Sequence, residues 1–136
     1  MVRQLAVAIP SLLAAHAQAG QCLGVGVAIA GIVDPVRGGL RTAPTLGWQD
    51  VDLRAPLEEL LDLPVSVENS VKACVLAQVW AVRGADQVEG PVAFVNASDG
   101  VGVGIAVDGQ LLRGAHNSAG EFGHIPLSMD LSLIHI

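Results

Sequence analysis

Glu121 and His124 stand three residues apart in the run Gly114-Ala115-His116-Asn117-Ser118-Ala119-Gly120-Glu121-Phe122-Gly123-His124. In so glycine-rich a stretch a carboxylate and an imidazole can converge on one small polar ligand. A carboxylate accepts hydrogen bonds from hydroxyls, while a neutral imidazole can bond a hydroxyl or ligate a metal. Taken alone, the pair is better read as a loop carboxylate and a satisfied core histidine. A second constellation, Glu68-Asn69-Ser70, precedes an apolar periodic segment, so Asn69 is expected to cap a helix with its side chain at the helix start. Behind Asp99 comes Gly100-Val101-Gly102-Val103-Gly104, a run that serves either a tight hairpin or the approach of backbone N–H groups to a phosphate. His16, His116 and His135 have no sequence partners that single them out, and surface or loop positions are expected for them. Cys22 and Cys74 lie far apart among aliphatics and read as small buried hydrophobes in a reducing compartment, not as ligands.

These groups need elements to hold them. Residues 5–19 suit a helix, with a restart at Pro10-Ser11. Residues 22–30 alternate small and β-branched types and read as a buried strand that stops at Gly31. Asp34-Pro35, Gly38-Gly39 and Ala43-Pro44 predict a long functional loop over 31–48, with Trp48 as a packing anchor. Asp52 is expected to cap a helix over 53–61 whose Glu58 and Glu59 face solvent, and 64–67 to form a short strand. Val71, Cys74, Val75, Val79 and Val82 predict an apolar stripe on a helix over 71–82 that ends at Gly84. A strand at 92–95, a glycine turn, a strand at 103–107 and the hairpin turn Asp108-Gly109 complete an α/β layer. The apolar tail 131–136 shows no turn, cap or partner signal and is expected to be foreign to the domain.

At 136 residues and 51% hydrophobic content, the chain has the material for one modest core. Its net charge of -6, with Lys72 the only lysine and the arginines scattered, gives no basic footprint, so DNA would be touched only through a region outside this chain. Mean hydropathy is +0.54, yet the most apolar stretch, 22–33, is too short for a membrane span and is punctuated by Gly24, Gly26 and Gly31. Pro10, Gln4, His16 and Gln18 interrupt the first segment, which argues against a signal peptide and for a cytoplasmic protein.

Four blocks, in order, resemble the ROK family of sugar kinases and sugar-responsive repressors. They are Gly24-Val25-Gly26-Val27-Ala28-Ile29-Ala30-Gly31-Ile32-Val33-Asp34, then Gly47-Trp48 with Val51-Asp52-Leu53, then Val67-Glu68-Asn69, and finally the run from Gly100 through His124. The resemblance implies an actin-like ATPase (ribonuclease H-like) fold, present in part, with residues 1–130 as a partial sugar-binding domain and 131–136 as a tail outside it. It implies sugar contacts from Asn69, Glu121 and His124, a structural role for Glu68, and a phosphate loop at Gly100, Gly102 and Gly104. Gly31 and Asp34 would shape the cleft wall, though a turn role explains them equally well. His124 would also ligate zinc, which requires a neutral imidazole.

Three departures shape the functional expectation. Where family kinases carry an aspartate general base after the Glu-Asn pair, this chain has Ser70, so no catalytic residue is assigned. The aspartate and glycine-rich phosphate loop that open the family domain would lie before Met1. The cysteine cluster that supplies three zinc ligands should follow His124, but after Asp130 come residues 131–136. No cofactor is therefore expected of this fragment itself, with zinc and ATP/Mg reserved for a full-length protein. The resemblance then implies the sugar-sensing domain of a transcriptional regulator, a fragment without its DNA-binding winged helix, homo-oligomeric when complete. A hexose kinase using another base and a truncated, non-functional reading frame are the alternatives.

Overall fold

The computed structural model describes residues 2–16, 20–82, 89–98, 100–128 and 131–132. The chain divides into two units, Met1–Glu68 and Asn69–Ile136. The positions Gly84, Asp99 and His135 lie outside the described residues.

In the first unit, helix α1 (Val2–Ala15) runs through Pro10 without the expected restart. A proline removes one amide donor, a loss this helix accommodates, and the Ser11 hydroxyl donates back to the Val7 carbonyl at 3.0 Å. Strand β1 (Val25–Ile29) pairs with β5 (Val65–Asn69), on which Val65 and Val67 alternate inward.

The expected loop over 31–48 is instead an antiparallel meander of β2 (Ile32–Asp34), β3 (Gly39–Ala43) and β4 (Trp48–Asp52). Val33 pairs with Leu40, which in turn pairs with Val51. The turn residues are hairpin turns between strands too short to show their period. The Asp34 carboxylate accepts from the Val36 and Arg37 amides at 3.1 Å each, and Gly38 takes φ +69° as its amide closes on the Asp34 carbonyl at 2.8 Å.

Asp52 is no helix cap. It ends β4, its carboxylate accepts from Arg37 at 2.7 Å, and α2 (Arg54–Leu61) begins after Leu53 with no side-chain cap. Glu59 is exposed, but Glu58 turns inward to accept from the Val65 amide at 3.0 Å, which ties α2 to β5. Arg54 donates to the carbonyls of Val65, Val36 and Pro35 at 3.1, 3.0 and 2.9 Å, binding the β2–β3 turn to β5. The core here comprises Ile29, Val33, Leu40, Ala43, Leu53, Leu57, Val65 and Val67, with Trp48 packed at its margin as expected.

In the second unit, α3 (Ser70–Val82) packs on the antiparallel pair β6 (Pro91–Ala97) and β7 (Val101–Val107). Strand β8 (Gln110–Leu111) follows across the Asp108-Gly109 turn. Two short strands, β9 (Pro126–Ser128) and β10 (Leu131–Ser132), pair antiparallel, so the first two tail residues do have a partner.

The buried side of α3 is Lys72, Val75 and Val79, while Cys74 and Val82 of the expected stripe are exposed. The spacing 72-75-79 is as helical as the one read from the valines, but it places a lysine on the core face. Cys22 is only half-buried, so neither cysteine is the buried hydrophobe expected.

Candidate functional site

Asn69 closes β5 and opens α3. Its Oδ1 accepts from the amides of Val71 at 2.9 Å and Lys72 at 3.1 Å, the cap foreseen from the sequence. The acceptor side of this residue is thus committed to the helix, and its remaining hydrogen-bond chemistry is donation through Nδ2. Ser70, half-buried, is the first residue of the helix.

After β8 the chain enters a loop held in an unusual backbone conformation. Gly114, Asn117 and Gly120 all have positive φ, at +71°, +57° and +89°. Asn117, with a side chain, adopts the left-handed region and is buried. Gly120 has no alternative: a Cβ there would lie 1.8 Å from the Val103 carbonyl, and its own carbonyl accepts from the Val103 amide at 3.1 Å. The loop is pinned to β7 at that point.

Immediately after the pin, a 3-10 turn (Phe122–His124) brings Glu121 and His124 together, as their spacing predicts. Glu121 Oε2 lies 3.7 Å from His124 Nε2, with the side chains 31% and 52% exposed. That separation is an ion pair only when the imidazole is protonated, and it leaves both groups reachable by a ligand. Zinc, which the resemblance implies at His124, would find one imidazole and one carboxylate here. The described residues hold no group of three or more histidine, cysteine or acidic side chains that could bind a metal, whereas structural zinc takes four ligands.

Gly102 and Gly104 have a packing reason. Their strand passes under the first turn of α3, where a Cβ on Gly102 would lie 2.7 Å from Val71 Cγ2 and one on Gly104 2.6 Å from the Val71 carbonyl. At the head of β7 the Gly100 carbonyl accepts from Ser98 at 2.9 Å and closes the β6–β7 turn.

Gly31 and Asp34 likewise do turn work in the first unit. Gly31 has φ +118° and a Cβ there would fall 2.3 Å from the Thr42 carbonyl. The Arg37 amide holds the Asp34 carboxyl below its ordinary value, aided by the Val36 amide and the charges of Arg41 and Arg37.

One residue at the site escaped the sequence reading. Lys72 is 2% exposed, and its Nζ donates to the Asn117 carbonyl. Its place three residues before Val75 on the core face was the available signal.

Comparison with known proteins follows the same lines as the glycine pattern. The xylose repressor of Caldicellulosiruptor bescii is 34% identical over 106 residues, 78% of this chain and 26% of the repressor. The glucokinase of Halalkalibacterium halodurans is 33% identical over 110 residues, 81% of this chain and 33% of the kinase. The crystal structure of a ROK family glucokinase from Streptomyces griseus in complex with glucose and AMPPNP superposes with a TM-score of 0.74 at 32% identity, covering 94% of this chain and 40% of that one. The chain therefore spans about a quarter to a third of the length of these two curated relatives, and it carries part of an α/β, actin-like ATPase fold. Among the described residues no helix is long and apolar enough to cross a membrane. The profile of the ROK family matches residues 1–133, and the chain belongs to that family.

Proposed function

We propose that this chain is the sugar-sensing part of a ROK-family transcriptional regulator, binding a monosaccharide without phosphorylating it. Ser70 carries the reading. It stands where the family resemblance calls for an aspartate, at the start of α3 beside Asn69. A sugar hydroxyl must lose its proton as it attacks a γ-phosphate, and a serine hydroxyl offers no base near neutral pH. General-base assistance is typically worth about 10²–10⁴-fold. Asn69 donating, Glu121 accepting and His124 doing either would suit hydroxyls, which are donors and acceptors at once.

On this reading DNA is engaged only through a region outside this chain, the protein works in the cytoplasm as a homo-oligomer, and zinc and ATP/Mg belong to the full-length protein. A hexose kinase is the second reading, favoured by the 33% identity to a glucokinase. It would use Gly100, Gly102 and Gly104 near the nucleotide and needs a base other than Ser70.

The test grafts this chain into the Halalkalibacterium halodurans glucokinase in place of its matching stretch. Glucose-dependent ADP release is measured for the Ser70 and Ser70→Asp forms, and glucose and xylose binding by calorimetry. The Ser70 form should bind sugar and turn over at least about 100-fold more slowly than Ser70→Asp. Comparable turnover would replace the sensor with the kinase. Glu121→Ala should weaken sugar binding about tenfold or more, since a lost charge-assisted hydrogen bond is worth about 1.5–3 kcal/mol. Unchanged affinity would remove Glu121 from the site.

A further inference from the structure

We propose that Lys72 is the positioning residue of this site: its buried ammonium ties the loop that presents Glu121 and His124 to the first turn of α3. The part of this that concerns a ligand rests on the sugar-binding reading above.

A lysine is a poor choice for the core face of a helix. At the place Lys72 occupies, in line with Val75 and Val79, an aliphatic side chain would bury without taking a charge out of water. What the lysine adds is a donor at the end of a long stem, and that donor reaches the Asn117 carbonyl, 45 residues along the chain. Both ends of this link are fixed. At one end the Lys72 amide is bound by the Asn69 cap.

At the other end, Asn117 is buried, its Oδ1 accepts from Arg113 Nη1 at 3.3 Å, and its amide reaches the Gly114 carbonyl at 3.4 Å. Asn117 holds the left-handed region with a side chain, between two glycines that adopt positive φ freely. Gly120 fixes that loop to β7 and Lys72 fixes it to α3. Glu121 is the next residue after Gly120, so an error in the loop would pass directly to the carboxylate. Asn69, Lys72, Asn117 and Glu121 thereby form a short mechanical path from the helix cap to the ligand groups.

Lys72 is the chain's only lysine, which makes it directly observable. With an amine-reactive ester and peptide mass spectrometry, Lys72 should label at least about 100-fold more slowly in the native chain than in the same chain unfolded in denaturant at the same pH, because reaction requires the loop to open. Glucose or xylose at saturation should slow Lys72 further, since coupling between two sites is reciprocal. In the Lys72→Met variant, amide exchange should quicken about tenfold or more over residues 113–121 while β6 and β7 keep their protection, and sugar affinity should fall about tenfold.

Unaltered loop exchange in the variant, or equal loosening of loop and strands, overturns the proposal. So does native affinity with a loosened loop. If Lys72→Met does not fold, the native chain decides, and labelling of Lys72 at the rate seen in the unfolded chain overturns it. A native chain that binds neither sugar defeats the sugar reading, while the exchange pattern still decides whether Lys72 holds the loop.

Discussion

A single carboxyl illustrates how much local chemistry the backbone can impose. Asp34 is held below its ordinary value of 3.8 chiefly by the Arg37 amide. Because the folded value is depressed, the unfolded chain takes up the proton first. The stability contributed by the ionised group is present above pH 3.8 and is lost as pH falls through the lower folded value. Asp34→Asn keeps an acceptor for the two amides but no charge. It should be less stable than the native chain at neutral pH, and the gap should close on acidification below 3.8; melting curves at several pH values check this, and a gap independent of pH would refute it. Among single residues, the pair Glu121 and His124 and the cap at Asn69 were legible because their geometry is local. Lys72 was not, since its partner Asn117 is 45 residues away and an isolated lysine in a sequence reads as solvated.

Elements were legible where a period had room to repeat. Helices α2 and α3 and the β6–β7 hairpin stand close to where the pattern put them, whereas β2, β3 and β4, of 3 to 5 residues each, were hidden by the turns between them. The Asp52 cap failed for a different reason: a carboxylate has more than one possible partner, and Arg37 took it. The contact between α3 and β7 makes its own prediction. In Gly104→Ala the new methyl would meet the Val71 carbonyl at 2.6 Å and Val75 Cγ1 at 3.0 Å. Overpacking of this kind costs about 1–3 kcal/mol. Denaturant unfolding should reveal that loss for the second unit, and an unchanged midpoint would mean that α3 rides on the strand more loosely than described.

At the scale of the whole molecule, each unit has its own core, one around Leu40, Leu53 and Leu57, the other around Val75, Val79 and Ala106. Periodicity alone led to an α/β layer and no further. The actin-like fold came from the glycine pattern, and several of those glycines mark places where strands, turns and helices approach too closely for a Cβ. Two of them, Gly31 and Gly120, face a carbonyl at 2.3 and 1.8 Å. On the reading proposed above, the choice between sensor and kinase rests on one side chain at position 70, which no property of the fold determines.

The two glycines beneath α3 should have had different evolutionary histories. At position 102 the obstacle is a methyl of Val71, which a smaller residue at 71 would remove; at position 104 it is the main-chain oxygen of Val71, which no substitution can remove. Across family members, therefore, residues larger than glycine at the counterpart of 102 should appear only together with alanine, glycine or serine at the counterpart of 71. The counterpart of 104 should tolerate no such exchange. An aligned set in which 102 varies independently of 71 would show that natural selection found another way to seat the helix.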